Sequence, residues 1–312
     1  MQYLNNKIFR TILAWLVIGL VAYFFGKSLI NNWSQLQGVN LAFNGWSVLS
    51  IIFFALAVVW TGVLWGKLIS QLSKKPISDE EAIKVHSLSW LLKYIPGQAG
   101  SLINKISWAQ KRGYSKKLVT VTFLYEHAFL IFASLLLSVP IILVSFFDKA
   151  AENLSIFAPL LLALPLLLLV NQKVFYTLLN YAFKFLKRKP IDKEYILKSK
   201  QLFYYVLQFL GPRLMNGIGF IFVVASIMPV PDQAYAGLAA AYILAGAVGL
   251  LAIFVPSGIG VREAVIVLFA SQYFSVEIAI VLALLARLYA TVSDAIVALV
   301  YGYLVKKEKR NL

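Results

Sequence analysis

Long apolar runs, separated by short polar and basic segments, extend along almost the whole chain. Seven of them approach or exceed the roughly 20 residues that cross a bilayer as a helix; they cover about 8–30, 43–69, 117–147, 154–171, 199–228, 233–255 and 276–304. Trp46, Trp65 and Lys67 lie near the ends of one run, where aromatic and basic residues mark the membrane interface. The pattern predicts an all-α, polytopic membrane helix bundle that forms a single transmembrane domain over residues 1–312.

Two proline-glycine segments interrupt the apolar pattern, at 94–100 (YIPGQAG) and 255–260 (VPSGIG). Proline lacks a backbone N–H and glycine frees the backbone, so a helix should stop there. The backbone groups released in this way must be buried in protein or line a watery cavity. We therefore predict two re-entrant, broken helices, with short helices at about 79–92 and 101–112 beside the first break and another short helix after the second. The break residues are Pro96, Gly97, Gly100, Pro256, Gly258 and Gly260.

The two breaks also align with each other. When 96–127 is laid over 256–287 without a gap, Pro96 meets Pro256 and Gly100 meets Gly260, and both copies continue through a short helix, a turn and a long span. Repeats built around broken helices are common in secondary transporters. The alignment predicts an internal repeat with halves of about 43–147 and 199–304, and leaves open whether the repeat is inverted. The alternative is that each Pro–Gly segment is only a kink.

The charge distribution gives the chain an orientation. It carries 29 Lys and Arg against 13 Asp and Glu, and basic residues mark both termini and the loops near 67–84, 111–117 and 173–200. Basic loops face the cytoplasm in membrane proteins, so we predict a multi-pass protein of the cytoplasmic (inner) membrane with both termini in the cytoplasm. Residues 173–189 alternate apolar and basic positions and predict an amphipathic surface helix. Without a basic domain, nucleic acid is not expected as a partner.

The predicted spans conflict with this orientation, because seven crossings would put the termini on opposite sides. At least one segment must be miscounted. Either a break region crosses the membrane, or 199–228 is two elements divided at 211–213 (GPR). About eight crossings or re-entrant pieces are favoured.

Ionisable residues inside apolar spans are costly and are candidates for function. The substrate-binding candidates lie within the spans or beside the breaks: Arg262, Glu263, Arg287, Glu126, Lys93, Gln98, Lys105, Arg213 and Asp294. Arginines would bind phosphate oxygens as charge-assisted forks, and the carboxylates would balance them in the empty site. Alternatively, Arg287–Glu126 or Arg262–Glu263 are structural ion pairs, and Lys93 and Lys105 extend to the interface.

The two histidines have different interpretations. His127 is a candidate proton carrier or a satisfied helix-interior histidine, and His86 is interpreted as a loop or interface histidine. With two histidines and no cysteine, thiolate catalysis and a Cys-ligated metal are excluded. No metal and no cofactor are predicted.

Four features resemble the lysylphosphatidylglycerol synthase transmembrane-region family, also described as flippase-like. They are the first break at 94–100, Tyr125 with Glu126, the motif PSGIGVRE at 256–263, and Arg287; the resemblance covers roughly 10–305. It implies translocation of phospholipids or polyprenyl-phosphate-linked sugars. No synthase domain is recognised, so aminoacyl transfer is not expected. Ser101 stands where many relatives have an acidic residue, and Asn104-Lys105 where an arginine is common, which leaves the headgroup open.

The sequence therefore predicts a lipid flippase with a membrane lipid as its substrate. No nucleophile-elbow, zinc-protease or phosphate-loop motif occurs, so an enzyme is not expected. A membrane-embedded lipid-modifying enzyme and a non-transporting scaffold of the cell envelope are the alternatives.

Overall fold

The structure is a computed structural model that describes residues 43–94, 99–150, 171–185, 190–191, 193–252, 258 and 260–310. The predicted span at 8–30 and all but the last residue of that at 154–171 lie outside these residues, as do Pro96, Gly97, Gln98 and Pro256. The regular structure of the described residues is entirely helical, which confirms the all-α prediction for them.

Nine α-helices lie within the described residues: α1 Gly45–Ser73, α2 Asp79–Leu91, α3 Ala99–Lys111, α4 Lys116–Ala150, α5 Gln172–Phe185, α6 Ser199–Ala225, α7 Tyr235–Leu251, α8 Val261–Ala270 and α9 Val276–Arg310. Short 3-10 turns cover Leu92–Tyr94, Lys193–Tyr195 and Asp232–Ala234. By length and composition, α1, α4, α6, α7 with its preceding turn, and α9 can each cross a membrane. These five helices indicate a multi-pass membrane protein.

Helix starts follow from local capping. The Ser78 Oγ accepts the N–H of Glu81 at 3.2 Å, and three acidic residues occupy the first turn of α2; both features stabilise a helix N-terminus. At α1, the Asn44 Oδ1 accepts the N–H of Trp46 at 3.0 Å. The Asn44 Nδ2 donates to the carbonyl of Ser226 at 2.8 Å, so the start of α1 lies beside the end of α6.

The expected interruption at 211–213 is wrong, because α6 is continuous and contains Pro212. Proline is tolerated in membrane helices where neighbouring helices satisfy the groups it frees. Gly211 lies so close to the Trp60 ring on α1 that a Cβ would come within 2.6 Å of it. Arg213 reaches α4, where its Nε donates to the carbonyl of Leu130 at 3.1 Å. The Gly-Pro pair therefore brings α6 close to its neighbours without dividing it.

Two pairs of helices form hairpins. The first hairpin is α2, the turn Leu92–Tyr94 and α3; the Asn104 Nδ2 donates to the carbonyl of Val85 at 3.2 Å, while Trp108 and Arg112 bind Glu81 near the open end. The second hairpin is α7 and α8. Gly237 lies against Tyr273 at its open end, and Gly249 lies against Arg262 at its closed end. In each hairpin the two helices run in opposite directions.

The long helices hold the hairpins. α1 packs along α6, α4 packs against α6 and α7, and α9 packs against α1, α2 and α8. The Lys84 Nζ lies 2.7 Å from Glu308, and the Lys307 Nζ lies 2.6 Å from Glu80. The open end of the first hairpin therefore lies beside the C-terminal end of α9. We call this the basic end of the bundle; Asn44 and Ser226 lie at the opposite end.

α5 agrees with the predicted surface helix as far as it is described. Phe175 is buried against Tyr125, with ring centroids 4.5 Å apart, whereas Lys173 and Lys184 are exposed. The Tyr125 hydroxyl also accepts the N–H of Leu197 at 2.9 Å. These contacts place Phe175 and Leu197 against Tyr125 on α4.

Gly66→Ala is expected to destabilise the protein by about 1–3 kcal/mol, because overpacking forces packed groups apart. A Cβ at Gly66 on α1 would lie 2.4 Å from the Ala82 Cβ on α2. The control is Gly302→Ala on α9, where a Cβ would meet nothing within 4 Å; it should be neutral or slightly stabilising. Thermal unfolding in detergent measures both variants. Equal melting temperatures would contradict the close α1–α2 contact.

Candidate functional site

Five charged side chains from the two hairpins and α9 meet in the interior of the bundle. We call them the central cluster: Lys93, Arg262, Glu263, Arg287 and Asp294. All five are among the candidates named from the sequence. Lys93 lies in the turn of the first hairpin, Arg262 and Glu263 begin α8, and Arg287 and Asp294 lie on α9.

Asp294 connects α9 to the turn of the first hairpin. The Lys93 Nζ lies 2.8 Å from both carboxylate oxygens, and the Trp90 indole N–H donates to Oδ1 at 2.7 Å. The Lys93 ammonium also lies 4.0 Å from the centre of the Trp90 ring, close enough for a cation–π interaction. Lys93 therefore pairs inside the protein and does not extend to an interface.

Glu263 connects α9 to the second hairpin. The Arg287 Nη1 lies 2.7 Å from its Oε1, and the N–H of Gly260 donates to its Oε2 at 2.7 Å. One carboxylate thus satisfies an arginine and a backbone group at the start of α8. Arg287 pairs with Glu263 rather than with Glu126, which corrects one of the ion pairs considered from the sequence.

Two glycines shape the approach to α8. Gly258 and Gly260 have φ values of +66° and +83°, in the region that side chains disfavour. A Cβ at Gly258 would also lie 2.9 Å from the Gly249 Cα on α7. The second break therefore depends on glycine at these positions, as the sequence predicts. Gly100, the described glycine of the first break, is buried in the first turn of α3.

Four side chains of the central cluster, all except Asp294, line a small cavity. Lys93, Tyr242, Arg262, Glu263 and Arg287 line a space of about 20 Å³. The Arg262 Nη2 donates to the Tyr242 hydroxyl at 3.1 Å. Such a space holds about one water molecule and is too small for a phosphate group.

A second charged site joins α2, α3 and α4. We call it the buried triad: His86, Lys105 and Glu126. The Lys105 ammonium contacts the Glu126 Oε2, and the His86 Nδ1 lies 3.3 Å from the other oxygen. The Lys105 side chain is 0% exposed and those of Glu126 and His86 are 3% and 4% exposed. Lys105 also lies 4.6 Å from the centre of the Trp65 ring, so extension to an interface is wrong for this lysine.

Two remaining candidates lie in neither cluster. The His127 Nδ1 donates to the carbonyl of Phe123, four residues earlier in α4, at 2.8 Å. This contact matches the satisfied helix-interior alternative. Arg213 is buried beside Gly246 and binds the Leu130 carbonyl; it does not line the cavity of the central cluster.

Sequence reasoning missed His86, which is buried and not at an interface. The signal was the spacing of Ala82, Val85, His86 and Ser89, which puts all four on one buried face of α2. It also missed Trp90 and Tyr242, because uncharged aromatic residues in an apolar sequence do not stand out. Among the described residues, no group of three or more His, Cys, Asp or Glu side chains is placed to hold a metal ion.

Comparison with protein-family models and with curated proteins gives no match. The resemblance to the flippase-like family therefore stays a prediction that depends on the motifs themselves.

Lys105→Met and Glu126→Gln should each cost about 3–5 kcal/mol in unfolding free energy, because each leaves an uncompensated buried charge. The double variant should lose much less unfolding free energy than the sum of the two single losses. The control is the pair Lys84–Glu308, whose side chains are 15% and 43% exposed; Lys84→Met and Glu308→Gln should each cost at most about 1 kcal/mol. Equilibrium unfolding of all variants measures the coupling. Additive losses for the buried pair would contradict the geometry of the triad.

Proposed function

We propose that this protein translocates a phosphate-containing lipid across the membrane, with the headgroup passing through the central cluster. The observation that carries the proposal is the convergence of three cations and Glu263, from both hairpins and α9, on one cavity. A second carboxylate, Asp294, is paired with one of these cations, Lys93. Lys and Arg bind phosphate through charge-assisted hydrogen bonds. In the closed form, Glu263 and Asp294 take the place of the phosphate. The acyl chains would remain in the bilayer.

We further propose that both hairpins are re-entrant and enter from opposite sides. The open end of the first hairpin lies at the basic end, beside Lys74, Lys75 and the end of α9. The second hairpin opens at the opposite end, near 226–234 and 271–277, and these two segments contain no Lys or Arg. The basic end would face the cytoplasm. The turns of the two hairpins would then meet near the middle of the membrane.

Helix boundaries support an inverted repeat. α4 and α9 both contain 35 residues. Lys116 and Val276, where they begin, and Ala150 and Arg310, where they end, are each 160 positions apart. α2 and α7 end at Leu91 and Leu251, again 160 positions apart. This is the offset at which the Pro–Gly breaks align.

The helix contacts have the same symmetry. If α1–α4 is exchanged with α6–α9, the contact of α4 with α7 becomes that of α9 with α2, and the contact of α3 with α4 becomes that of α8 with α9. Each unit also has an ion pair between its short helix and its long helix. The pair is Lys105–Glu126 in the first unit and Glu263–Arg287 in the second, so the charges are reversed.

This arrangement removes the conflict in the number of spans. If α7 is one arm of a re-entrant hairpin, six crossings remain: α1, α4, α6, α9 and the two predicted spans outside the described residues. An even number puts both termini on the same side. The sixth crossing is then α9, whose last turn is basic.

Movement of a headgroup would require exchange of ionic partners. Phosphate oxygens would replace Glu263 at Arg287, or Asp294 at Lys93, as α9 separates from one hairpin. A cation that always has a partner avoids the cost of an isolated charge in an apolar interior. Separation from the first hairpin would open the cavity to the cytoplasm, and separation from the second would open it to the other side.

In vesicles containing the protein, a labelled phospholipid or polyprenyl-phosphate lipid should exchange between leaflets. Arg262→Gln should slow the exchange at least about tenfold, because a charge-assisted contact to phosphate is lost. Arg262→Lys keeps the charge but not the planar fork and should give an intermediate rate. Arg310→Gln is the matched control, since this arginine is exposed at the end of α9, and it should exchange lipid at the normal rate.

Three outcomes would contradict the proposal. No exchange of either lipid class, or exchange unaffected by Arg262→Gln, would exclude transport through the central cluster and favour a scaffold. Conversion of the lipid into a new chemical product would favour a membrane-embedded enzyme.

The inverted hairpins can be tested by labelling, because the chain contains no native cysteine. Single cysteines at Asp79 and Gln110 should react with an impermeant reagent from one side of the membrane. Cysteines at Asp232 and Glu277 should react from the other; all four positions are exposed. Labelling of Asp79→Cys and Gln110→Cys from opposite sides would show that the first hairpin crosses the membrane. Labelling of Asp232→Cys and Glu277→Cys from opposite sides would show the same for the second.

A further inference from the structure

The buried triad does not hold the phosphate in the proposed translocation. Its side chains are nevertheless the most deeply buried of the ion pairs among the described residues. Lys105 and Glu126 form a neutral pair, and His86 adds an imidazole against the second carboxylate oxygen. The His86 Nε2 is buried and has no hydrogen-bond partner in the described part of the chain. The triad therefore retains one unsatisfied polar atom in a site closed to water.

The ionisable surroundings of the triad are few. His127, from α4, is the only other ionisable side chain among the described residues with an electrostatic effect on His86 or Glu126. Its Nδ1 is already engaged by the Phe123 carbonyl. Arg213, from α6, has an electrostatic effect on His127. From α1 the neighbour is Trp65, which is uncharged.

In its buried environment, the triad is most stable in the state without net charge. With His86 neutral, the three side chains carry no net charge. One added proton would leave a net positive charge in a site that is almost fully closed, which is unfavourable without water or a counter-charge. The proton should therefore bind when the site is hydrated, and protonation should favour the open form of the protein.

α2 connects the triad to the central cluster. His86 lies about two helical turns before Lys93, and its ring stacks on Trp90 with a centroid distance of 6.5 Å. Trp90 donates its indole N–H to Asp294, the partner of Lys93. Asn104 on α3 donates to Ser89 on α2 at 2.9 Å, so the two arms of the first hairpin are held together. A change at His86 would thus act on the whole hairpin and on the Lys93–Asp294 pair.

We propose that His86, Lys105 and Glu126 form a proton-binding site that couples proton uptake to separation of the first hairpin from α9. Proton binding does not depend on the proposed lipid translocation. The use of the bound proton as a driving force rests on that proposed function. A proton gradient would then be the source of energy for movement of the headgroup. Release of the proton in the opposite state would return the triad to its neutral, closed form.

The test measures the distance between the first hairpin and α9 at two pH values. Nitroxide labels at Asp79→Cys and Lys309→Cys report separation of the hairpin in lipid nanodiscs. Both positions are exposed and lie outside the ion pairs Lys84–Glu308 and Lys307–Glu80 at the basic end. At about pH 5 the population of long distances should exceed that at about pH 8, because histidine sites change charge in this range. One bound proton gives at most about a tenfold change in the open-to-closed ratio per pH unit.

Variants of the triad show whether the pH response comes from these three side chains or from other groups. The neutral pair Lys105→Met with Glu126→Gln removes the site without leaving a buried charge, and should abolish the pH response. His86→Gln should reduce the response several-fold, whereas His127→Gln should retain it. The carboxylates of the ion pairs at the basic end, Glu80, Glu81 and Glu308, are unchanged in the neutral-pair variant, so an effect due to them would persist there.

Distances that are unchanged between the two pH values in the native sequence would overturn the proposal, as would a pH response that persists in the neutral-pair variant.

A second measurement uses vesicles with an imposed pH difference. Lipid exchange should change with the gradient in the native sequence and not in the neutral-pair variant. If lipid exchange occurs but ignores the gradient, coupling fails while translocation stands. If no lipid exchanges, translocation fails, and the distance measurement still decides whether the triad binds a proton.

Discussion

A charged side chain inside an apolar bundle needs a partner within the protein, and two such pairings hold the hairpins against α9. Glu263 accepts from both Arg287 and the backbone N–H of Gly260. Asp294 accepts from both Lys93 and Trp90. Each carboxylate thus compensates a costly cation and fixes the turn region of one hairpin against α9. The Pro–Gly breaks and the buried charges are consequently parts of one arrangement.

The same constraint limits how the protein can move. A buried cation that simply lost its carboxylate would cost several kcal/mol, so opening is favourable only if another partner replaces it. In the proposed mechanism a lipid phosphate takes that place in the central cluster, and a proton changes the balance in the buried triad. The reversed polarity of Lys105–Glu126 and Glu263–Arg287 gives the two helix units different ionic chemistry. In the proposed mechanism, the two hairpins therefore respond to different ligands.

Local patterns predicted much of the fold. Ser78 and the acidic residues after it predicted the start of α2, and the Pro–Gly segments predicted where helices end. Partners far apart in sequence could not be predicted in this way. Arg287 was considered with Glu126, but the packing of α8 on α9 brings it to Glu263. Gly211 and Pro212 suggested a break, but Trp60 from α1 packs over Gly211 and α6 continues. His86 was interpreted as a loop or interface histidine, but it is buried against Glu126, which lies 40 positions away in the sequence.

Photocrosslinking tests the central claim most directly. A phospholipid or polyprenyl-phosphate lipid with a photoreactive group beside its phosphate is reconstituted with the protein, and the modified residues are located by mass spectrometry. The account predicts modification of residues that line the cavity, such as Tyr242 and Thr291, and its loss in the Arg262→Gln variant. Modification confined to exposed surface residues such as Leu299 and Tyr303 would contradict passage of the headgroup through the central cluster.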